Sequence, residues 1–477
     1  MNRRDFMKNA TRGGAGFALG GFMTRAYGRA EAVGPLAAAA LSETDRVLVI
    51  IRLNGGNDGL NTLVNFENDA YYQARPKIHI KKSEALRLTP AQGLHPRLTG
   101  FKELYDEGQM MIMQGVGYPN PNRSHFRSTD IWLTASNSNE FLNHGWLGRY
   151  FESQTPGFPD TLPEHPLAVD IGPVLSLALL GKNGAMGIAL RNPRQFVNLV
   201  EQGNKIIEDG KIPTPAGYEL DFIRRINFES LQYSSQVRDA ANKGANRVEY
   251  PTGNSLANQL SLVARLIAGG LKSKVYLVSQ GGYDTHSNQL NRHNTLMGYL
   301  NDAVTSFVQD LRQHQLQDRV LGMSISEFGR RTKENGSAGT DHGTSAPMFF
   351  FGPSVQAGIA GPSPNFGQVD RRGDFYYDHD FRHVYASVLN QWFDVSQDVV
   401  SSIFSSNTSH IPILRPSPLS PLELAKVDFN ADGKLDFTDF LEFAQAFGTN
   451  ETKYDLDGDG NVGFGDFLRF VDAYRNR

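Results

Sequence analysis

Five stretches of the chain are apolar at nearly every position rather than at alternate ones. They are Arg46–Leu53 (RVLVIIRL), Met110–Val116 (MMIMQGV), Lys274–Ser279 (KVYLVS), Arg319–Ser326 (RVLGMSIS) and Met348–Phe351. A strand with one wet face alternates apolar and polar residues, whereas a strand covered on both faces does not. Between these runs, Leu98–Glu107, Phe222–Ala241, Asn254–Gly269 and Gln289–Gln315 carry helical spacing. Buried strands alternating with helices predict an α/β domain, a mostly parallel sheet with helices on both faces.

The first residues carry an address rather than fold. Arg3-Arg4 followed by Asp5, Phe6, Met7 and Lys8 forms a twin-arginine export signature. The weakly apolar run Gly13–Met23 is too short to span a bilayer, and Ala30-Glu31-Ala32 offers a cleavage site. Residues 1–32 are thus expected to be a signal peptide. The mature chain is expected to have no transmembrane span and to be periplasmic, cell-surface or secreted.

Composition narrows the chemistry. The 477 residues carry a net charge of −3 with no long basic stripe, so no nucleic-acid partner is expected. There is no cysteine, which excludes disulfides, thiol nucleophiles and cysteine-bound metal. A transition-metal site must draw on Asp, Glu and the 12 histidines.

In sheets of this kind, functional groups gather past the carboxyl ends of the strands. Polar clusters sit there. Asn57, Asp58 and Asn61 follow the first strand, and Arg123, Ser124, His125 and Arg127 follow the second. Asp284 and His286 follow the third; Glu327 and Arg330, then Asp341 and His342, follow the fourth. Zinc, manganese or calcium suits such ligands. Taken alone, Asp58 is also a good turn residue, and each arginine reads equally as an ion-paired one.

These motifs resemble the alkaline-phosphatase-like superfamily. Within it they are similar to a functionally uncharacterised, twin-arginine-exported bacterial family marked by Gly-Gly-Asn-Asp-Gly, Ser-His-Phe, Asp-Thr-His, Ser-Glu-Phe-Gly-Arg and Thr-Asp-His-Gly. The likeness spans residues 45–394. It implies metal ligands at Asp58, Asp284, His286, Glu327 and His342, with Asp341 either a ligand or the partner that orients His342. It implies Ser124 as nucleophile at a helix N-terminus, with Thr62 as its competitor; Ser124 is also a good N-cap residue. Arg123, Arg127 and Arg330 would steady a tetrahedral oxyanion. Two departures stand out: Phe328 occupies the position where the superfamily places His, and Asp284 and His286 are spaced more closely than usual.

The C-terminal region repeats a loop. Asp428, Asn430, Asp432, Asp436 and Asp439 put oxygen ligands at positions 1, 3, 5, 9 and 12, with Gly433 at the sharp turn and Lys434 giving only a carbonyl. The pattern recurs 27 residues on (455 − 428) as Asp455, Asp457, Asp459, Asn461 and Asp466, with Gly463 at position 9. Two calcium ions are expected. Residues 422–474 resemble a dockerin module, which implies a cohesin-like or cell-surface partner. The proline-rich stretch Ile411–Pro421 reads as a linker.

The whole predicts an exported metal-dependent hydrolase of phosphate or sulfate esters, including sulfated or phosphorylated glycans. The alternative is a non-catalytic surface or scaffold protein with a relict metal site. The export signature makes one direct prediction. Changing Arg3→Lys together with Arg4→Lys leaves uncleaved precursor in the cytoplasm, visible by fractionation and immunoblot; normal export of that variant refutes it.

Overall fold

The computed structural model describes residues 45–159, 161–193, 233–404, 408–415 and 421–475; the twin-arginine segment lies outside them. Among these residues the main sheet contains β1 (Val47–Asn54), β5 (Met110–Gly117), β6 (Ala168–Asp170), β7 (Ile188–Ala189), β8 (Val275–Gly281), β9 (Val320–Ile325), β10 (Ala346–Phe351), β11 (Gly358–Ala360) and β12 (His379–Asp380). Their order is β11-β5-β10-β9-β1-β8-β6-β7, with β12 added to β5. A small sheet joins β2 (Leu63–Val64), β3 (Leu86–Arg87) and β4 (Gly93–Leu94).

The two-sided apolar runs have a direct structural counterpart. Val47, Val49, Ile51 and Leu53 of β1 enter one core, while Leu48 and Ile50 enter the other. The first core is closed by helices Thr99–Asp106, Ser255–Ala268 and Gln289–Gln313. The second is closed by His125–Thr134, Trp146–Gln154, Phe381–Phe393 and Gln397–Phe404. Each fully buried Val, Leu, Ile or Phe contributes about 1.5–3 kcal/mol relative to exposure. Both faces of the strands are thus needed to hold the sheet.

Every strand pairing in the main sheet is parallel except those of β10, which runs antiparallel to β5 and β9. This reversal matters for the site. The carboxyl ends of β1 and β8 are in register at Asn54 and Gly281, and β9 pairs Ile325 with Arg52. Reversed, β10 brings its amino end, and the loop preceding it, to that same edge. The apolar run alone predicts burial, not direction.

The linker expectation is amended. Residues 411–415 do not form a free linker. Ile413 is fully buried, and the Gln391 side chain donates to the Ile411 carbonyl (2.7 Å) and accepts from the amides of Ile413 (3.0 Å) and Leu414 (2.9 Å). Ile411 and Ile413 flank Pro412, so an extended backbone turns two apolar side chains toward the body. A helix, Pro421–Val427, precedes the first C-terminal loop. The expected helix at 222–241 lies partly outside the described residues and is helical from Tyr233 onward.

Two histidines are buried under the first strand end. His95 and His293 meet edge to face at 5.4 Å, each 1% exposed. Burial, reinforced by the charges of Arg75 and Arg330 and only partly opposed by Asp58, pushes His293 down to about 4. Burial, with His293 and Arg97, pushes His95 down to about 2. The unfolded chain binds protons on both below about 6.5, while the fold resists them. Stability should hold above that pH and fall as the pH drops from about 6.5 to 4. Urea midpoints across this range test it: His293→Gln should flatten the fall, and an identical profile in the variant overturns the assignment.

Candidate metal centre

Three imidazoles converge on one carboxylate at the carboxyl edge of the sheet. Oδ1 of Asp284 lies 3.5 Å from His125 Nε2, 3.1 Å from His286 Nε2 and 3.2 Å from His342 Nε2. The Nε2 atoms of His286 and His342 are 2.9 Å apart. Donor atoms of His125, Asp284 and His342 all lie within 4.8 Å of one another. Asp284 and His286 lie in the loop after β8. His342 lies in the loop that the reversed β10 brings to this edge, and His125 opens the helix after β5.

Each ring is turned the same way by its other nitrogen. His125 Nδ1 faces Glu327 Oε1 at 2.9 Å, His286 Nδ1 faces Asp341 Oδ1 at 3.2 Å, and His342 Nδ1 faces the Arg123 carbonyl at 2.7 Å. An acceptor on Nδ1 keeps the proton there and leaves the Nε2 lone pair for a cation. His125 Nε2 is buried with no hydrogen-bond partner. An ion with bonds of about 2.0–2.2 Å holds tetrahedral donors about 3.3–3.6 Å apart; the His125–Asp284 spacing of 3.5 Å falls in that range, and the 2.9–3.2 Å spacings among Asp284, His286 and His342 are tighter.

The electrostatics agree. Burial pushes the Asp284 carboxyl up, but the hydrogen bond and charge of Arg330, with His286 and His342 beside it, hold it down at about 2. Burial lowers His342, helped by the charges of Arg330 and His125 and opposed by its two hydrogen bonds. An ionised carboxylate beside imidazole nitrogens is a donor set that a divalent metal takes. Phe328, 1% exposed, floors the cluster: its ring stacks on His342 at 4.6 Å and packs against His125 at 4.9 Å. Gly56 (φ +82°) leaves room for that ring, and Gly55 (φ +119°) lets the backbone touch the amide of Asp284.

Residues 109–392 match the family model described as protein of unknown function (DUF1501). The chain belongs to the DUF1501 family. No curated protein matches it. Its fold is similar to the zinc complex of the C-terminal periplasmic domain of EcEptC from Escherichia coli (9% identity, 65% of this chain, 74% of that chain, TM-score 0.33). It is also similar to PsFucS1 sulfatase from Pseudoalteromonas sp. (10%, 78%, 74%, 0.33). A third likeness is to a protein in the alkaline phosphatase superfamily from Vibrio parahaemolyticus (10%, 67%, 63%, 0.32). At these identities and scores such structures bear on neither the activity nor the ligands of the DUF1501 chain.

The DUF1501 match contains every donor of the cluster; Asp58 lies before it, and the structure places Asp58 elsewhere. It is 1% exposed and bound by Arg75 Nη1 at 2.5 Å, and Gln289 donates to the same oxygen. Burial raises its carboxyl, but Arg75, His293 and Arg330 lower it further, so the ion pair persists. The Arg75 guanidinium, fully buried, supplies the positive charge expected from a metal. Glu327 and Asp341 orient imidazoles, as described above.

The arginines are spent. Arg330 gives Nε to the Gly56 carbonyl, Nη1 to Thr340, and Nη2 to Gly55, Tyr283 and the Asp284 carboxylate. At most one Nη1 N–H remains for a substrate oxyanion, on a side chain that is fully buried. Arg123 is paired to Asp370 (3.0 Å) and Asp374 (2.5 Å), and Arg127 donates to loop carbonyls while covering Phe141. Thr62 is buried, its hydroxyl held by the Asp58 carbonyl at 2.8 Å. Ser124 is exposed and caps the His125 helix without a side-chain hydrogen bond. His125 is the residue the sequence analysis did not assign as a ligand; its signal is its place in Ser-His-Phe, beside the cap.

The two C-terminal loops are wired alike. Asp439 accepts the amides of Phe429, Asn430 and Asp436 at 2.8, 3.3 and 2.8 Å. Asp466 accepts those of Leu456, Asp457 and Gly463 at 2.6, 2.9 and 2.7 Å. Burial pushes Asp466 up, but its backbone N–H bonds outweigh that and lower it. Asp428 and Asp455 draw the turn glycines Gly433 (2.8 Å) and Gly460 (2.9 Å) inward. Asp455, Asp457 and Asp459 form an acidic group with oxygens within 4.8 Å. Asp432 and Asp459 take the amides of Lys434 and Asn461, both at 2.9 Å, and Asp436 caps Phe437–Ala446. Phe429, Phe443 and Phe470 stack between the repeats.

The Asp58–Arg75 pair makes a testable claim. Arg75→Met strands a buried carboxylate and should cost about 3–5 kcal/mol, read from denaturant midpoints. Adding Asp58→Leu should recover most of that loss. A single variant as stable as the parent shows that the pair holds nothing.

Proposed function

We propose that this chain is an exported metal-dependent hydrolase of phosphate or sulfate esters, an alkaline-phosphatase-like enzyme tethered through a calcium-binding C-terminal module. The observation that carries the reading is the common orientation of three imidazoles, each held by an acceptor on Nδ1, toward a single ionised carboxylate. A divalent ion there would supply Lewis-acid charge for an ester oxygen. His125, His286, His342 and Asp284 would hold it, and zinc or manganese fits that donor set better than calcium. Glu327 and Asp341 keep the protons of His125 and His286 on Nδ1.

Ser124 stands one residue from His125 at the amino end of a ten-residue helix. The helix N-terminus offers unpaired amides and a positive dipole end to an anion, a task the expected arginines cannot take up. The Ser124 hydroxyl, free of a capping bond, is the nucleophile in this reading. Two calcium ions would sit at the C-terminal loops. Phe437 and Leu441 (59% and 44% exposed) recur 27 residues later as Phe464 and Leu468 (67% and 52%), apolar positions that support attachment to a cohesin-like or cell-surface partner. Periplasmic, surface or secreted placement follows from the export signature.

The second reading, a scaffold that binds metal without turnover, is favoured by the engagement of Arg123, Arg127 and Arg330. Elemental analysis of the whole chain, with aryl phosphate, phosphodiester and aryl sulfate assays in added zinc, manganese or calcium, tests both. One transition-metal ion per chain, lost in His342→Ala, and ester cleavage lost in Ser124→Ala with the ion retained, support the enzyme. Glu327→Gln should weaken metal binding about 10–100-fold. Two calcium ions should disappear in Asp428→Ala with Asp455→Ala. A chain that cleaves none of these esters is the scaffold, and one that binds no transition metal refutes the enzyme and favours a scaffold with a relict site.

A further inference from the structure

A second cavity opens on the same edge of the sheet, over β5 and β10, with a volume of about 260 Å³. That is below the roughly 300–1,000 Å³ of drug-sized sites and suits a single ring. Its walls include Leu63 and the ring side chains of Pro347, Pro364 and Phe375, which offer apolar faces. Tyr376, 63% exposed, stands at the rim, and Gln368 and Asp378 bring planar polar groups to the same space. The Asp378 carboxylate packs over Gly115, where a side chain would collide with it.

The cavity is biased against anions. Among the described residues Arg330 is its only cationic lining residue, and that guanidinium is engaged by Asp284 and by backbone carbonyls. Asp378 adds a negative charge. A purely apolar ligand would give neither the Gln368 amide nor the Asp378 carboxylate a hydrogen-bond partner. What fits is an uncharged ring with a C–H face for Tyr376 and Phe375 and hydroxyl pairs for an amide and a carboxylate.

Arg330 also separates this cavity from the metal centre: it lines the cavity, and its Nη2 lies 2.7 Å from Asp284 Oδ1. We propose that the cavity receives an uncharged sugar ring of a glycan whose ester group is presented to the metal centre. This deepens the hydrolase reading and rests on it for the ester, though not for the sugar.

Isothermal titration calorimetry of the whole chain against lactose, cellobiose, maltose and mannobiose, with spermidine as a cationic control, tests it. At least one disaccharide should bind with a Kd below about 10 mM. Tyr376→Ala and Gln368→Ala, both at exposed positions, should weaken that binding at least about tenfold with an unchanged melting temperature. Metal-stripped protein and His342→Ala should bind the sugar as the parent does. Binding of none of the four, binding indifferent to both substitutions, or binding of spermidine in place of sugar overturns the inference. Sugar binding without ester hydrolysis upholds it and fails the hydrolase reading; hydrolysis of aryl esters without sugar binding does the reverse.

Discussion

One guanidinium holds the edge of this sheet together. Arg330 is buried, and its side chain reaches the carbonyls of Gly55 and Gly56 after β1, of Tyr283 after β8 and of Thr340 before β10. The same group binds the carboxylate on which three imidazoles converge. Buried carbonyls without donors are costly, and three loops leaving adjacent strand ends would otherwise present several at once. Lysine, a point charge with three donors, could not span this fan of acceptors. The positions of Asp284 and His342, and the floor that Phe328 forms beneath the rings, follow from that single planar group.

The strands were legible because burial on both faces writes itself as an unbroken apolar run. Where the run is only two or three residues, as at Ala168–Asp170 or His379–Asp380, no pattern exists to read. Strand direction was not legible at Ala346–Phe351, since direction is set by partners far away in sequence. Within the site, Asp284, His286 and His342 stood out as members of polar clusters past the strands, and the resemblance named them as ligands; the structure brings their side chains together. His125 was not, because a polar cluster at a helix start reads first as a cap. Asp58 was given as a ligand by the resemblance, and nothing in the spacing of Asp58 and Arg75 shows that a loop folds the arginine back onto it. Arginine roles are the hardest to read in advance: the same side chain serves a substrate or a backbone, and only the surrounding carbonyls decide.

The C-terminal repeat shows a different economy of design. Aspartate at position 12, one methylene shorter than the usual glutamate, takes three backbone amides in each loop and is itself buried. The loops are thus shaped by their own hydrogen bonds, while the stacked Phe429, Phe443 and Phe470 join the two repeats into one small core. Local wiring sets the loop and long-range aromatic packing sets the pair. This explains why the pattern could be read directly from spacing, in contrast to the main site.

The donors of the candidate metal centre come from widely separated parts of the chain: His125 and Asp284 are 159 positions apart (284 − 125), and Asp284 and His342 are 58 apart (342 − 284). No partly folded intermediate lacking β8 or β10 can assemble them, because both pairings are long-range and slow to form. An ion bound there acts as a reversible cross-link that closes two large loops, and it stabilises only the finished fold, by about 4.1 kcal/mol at a thousandfold excess over its Kd. Metal occupancy would consequently report completed folding. In the exported enzyme proposed above, capturing the ion would mark the molecule as ready to leave.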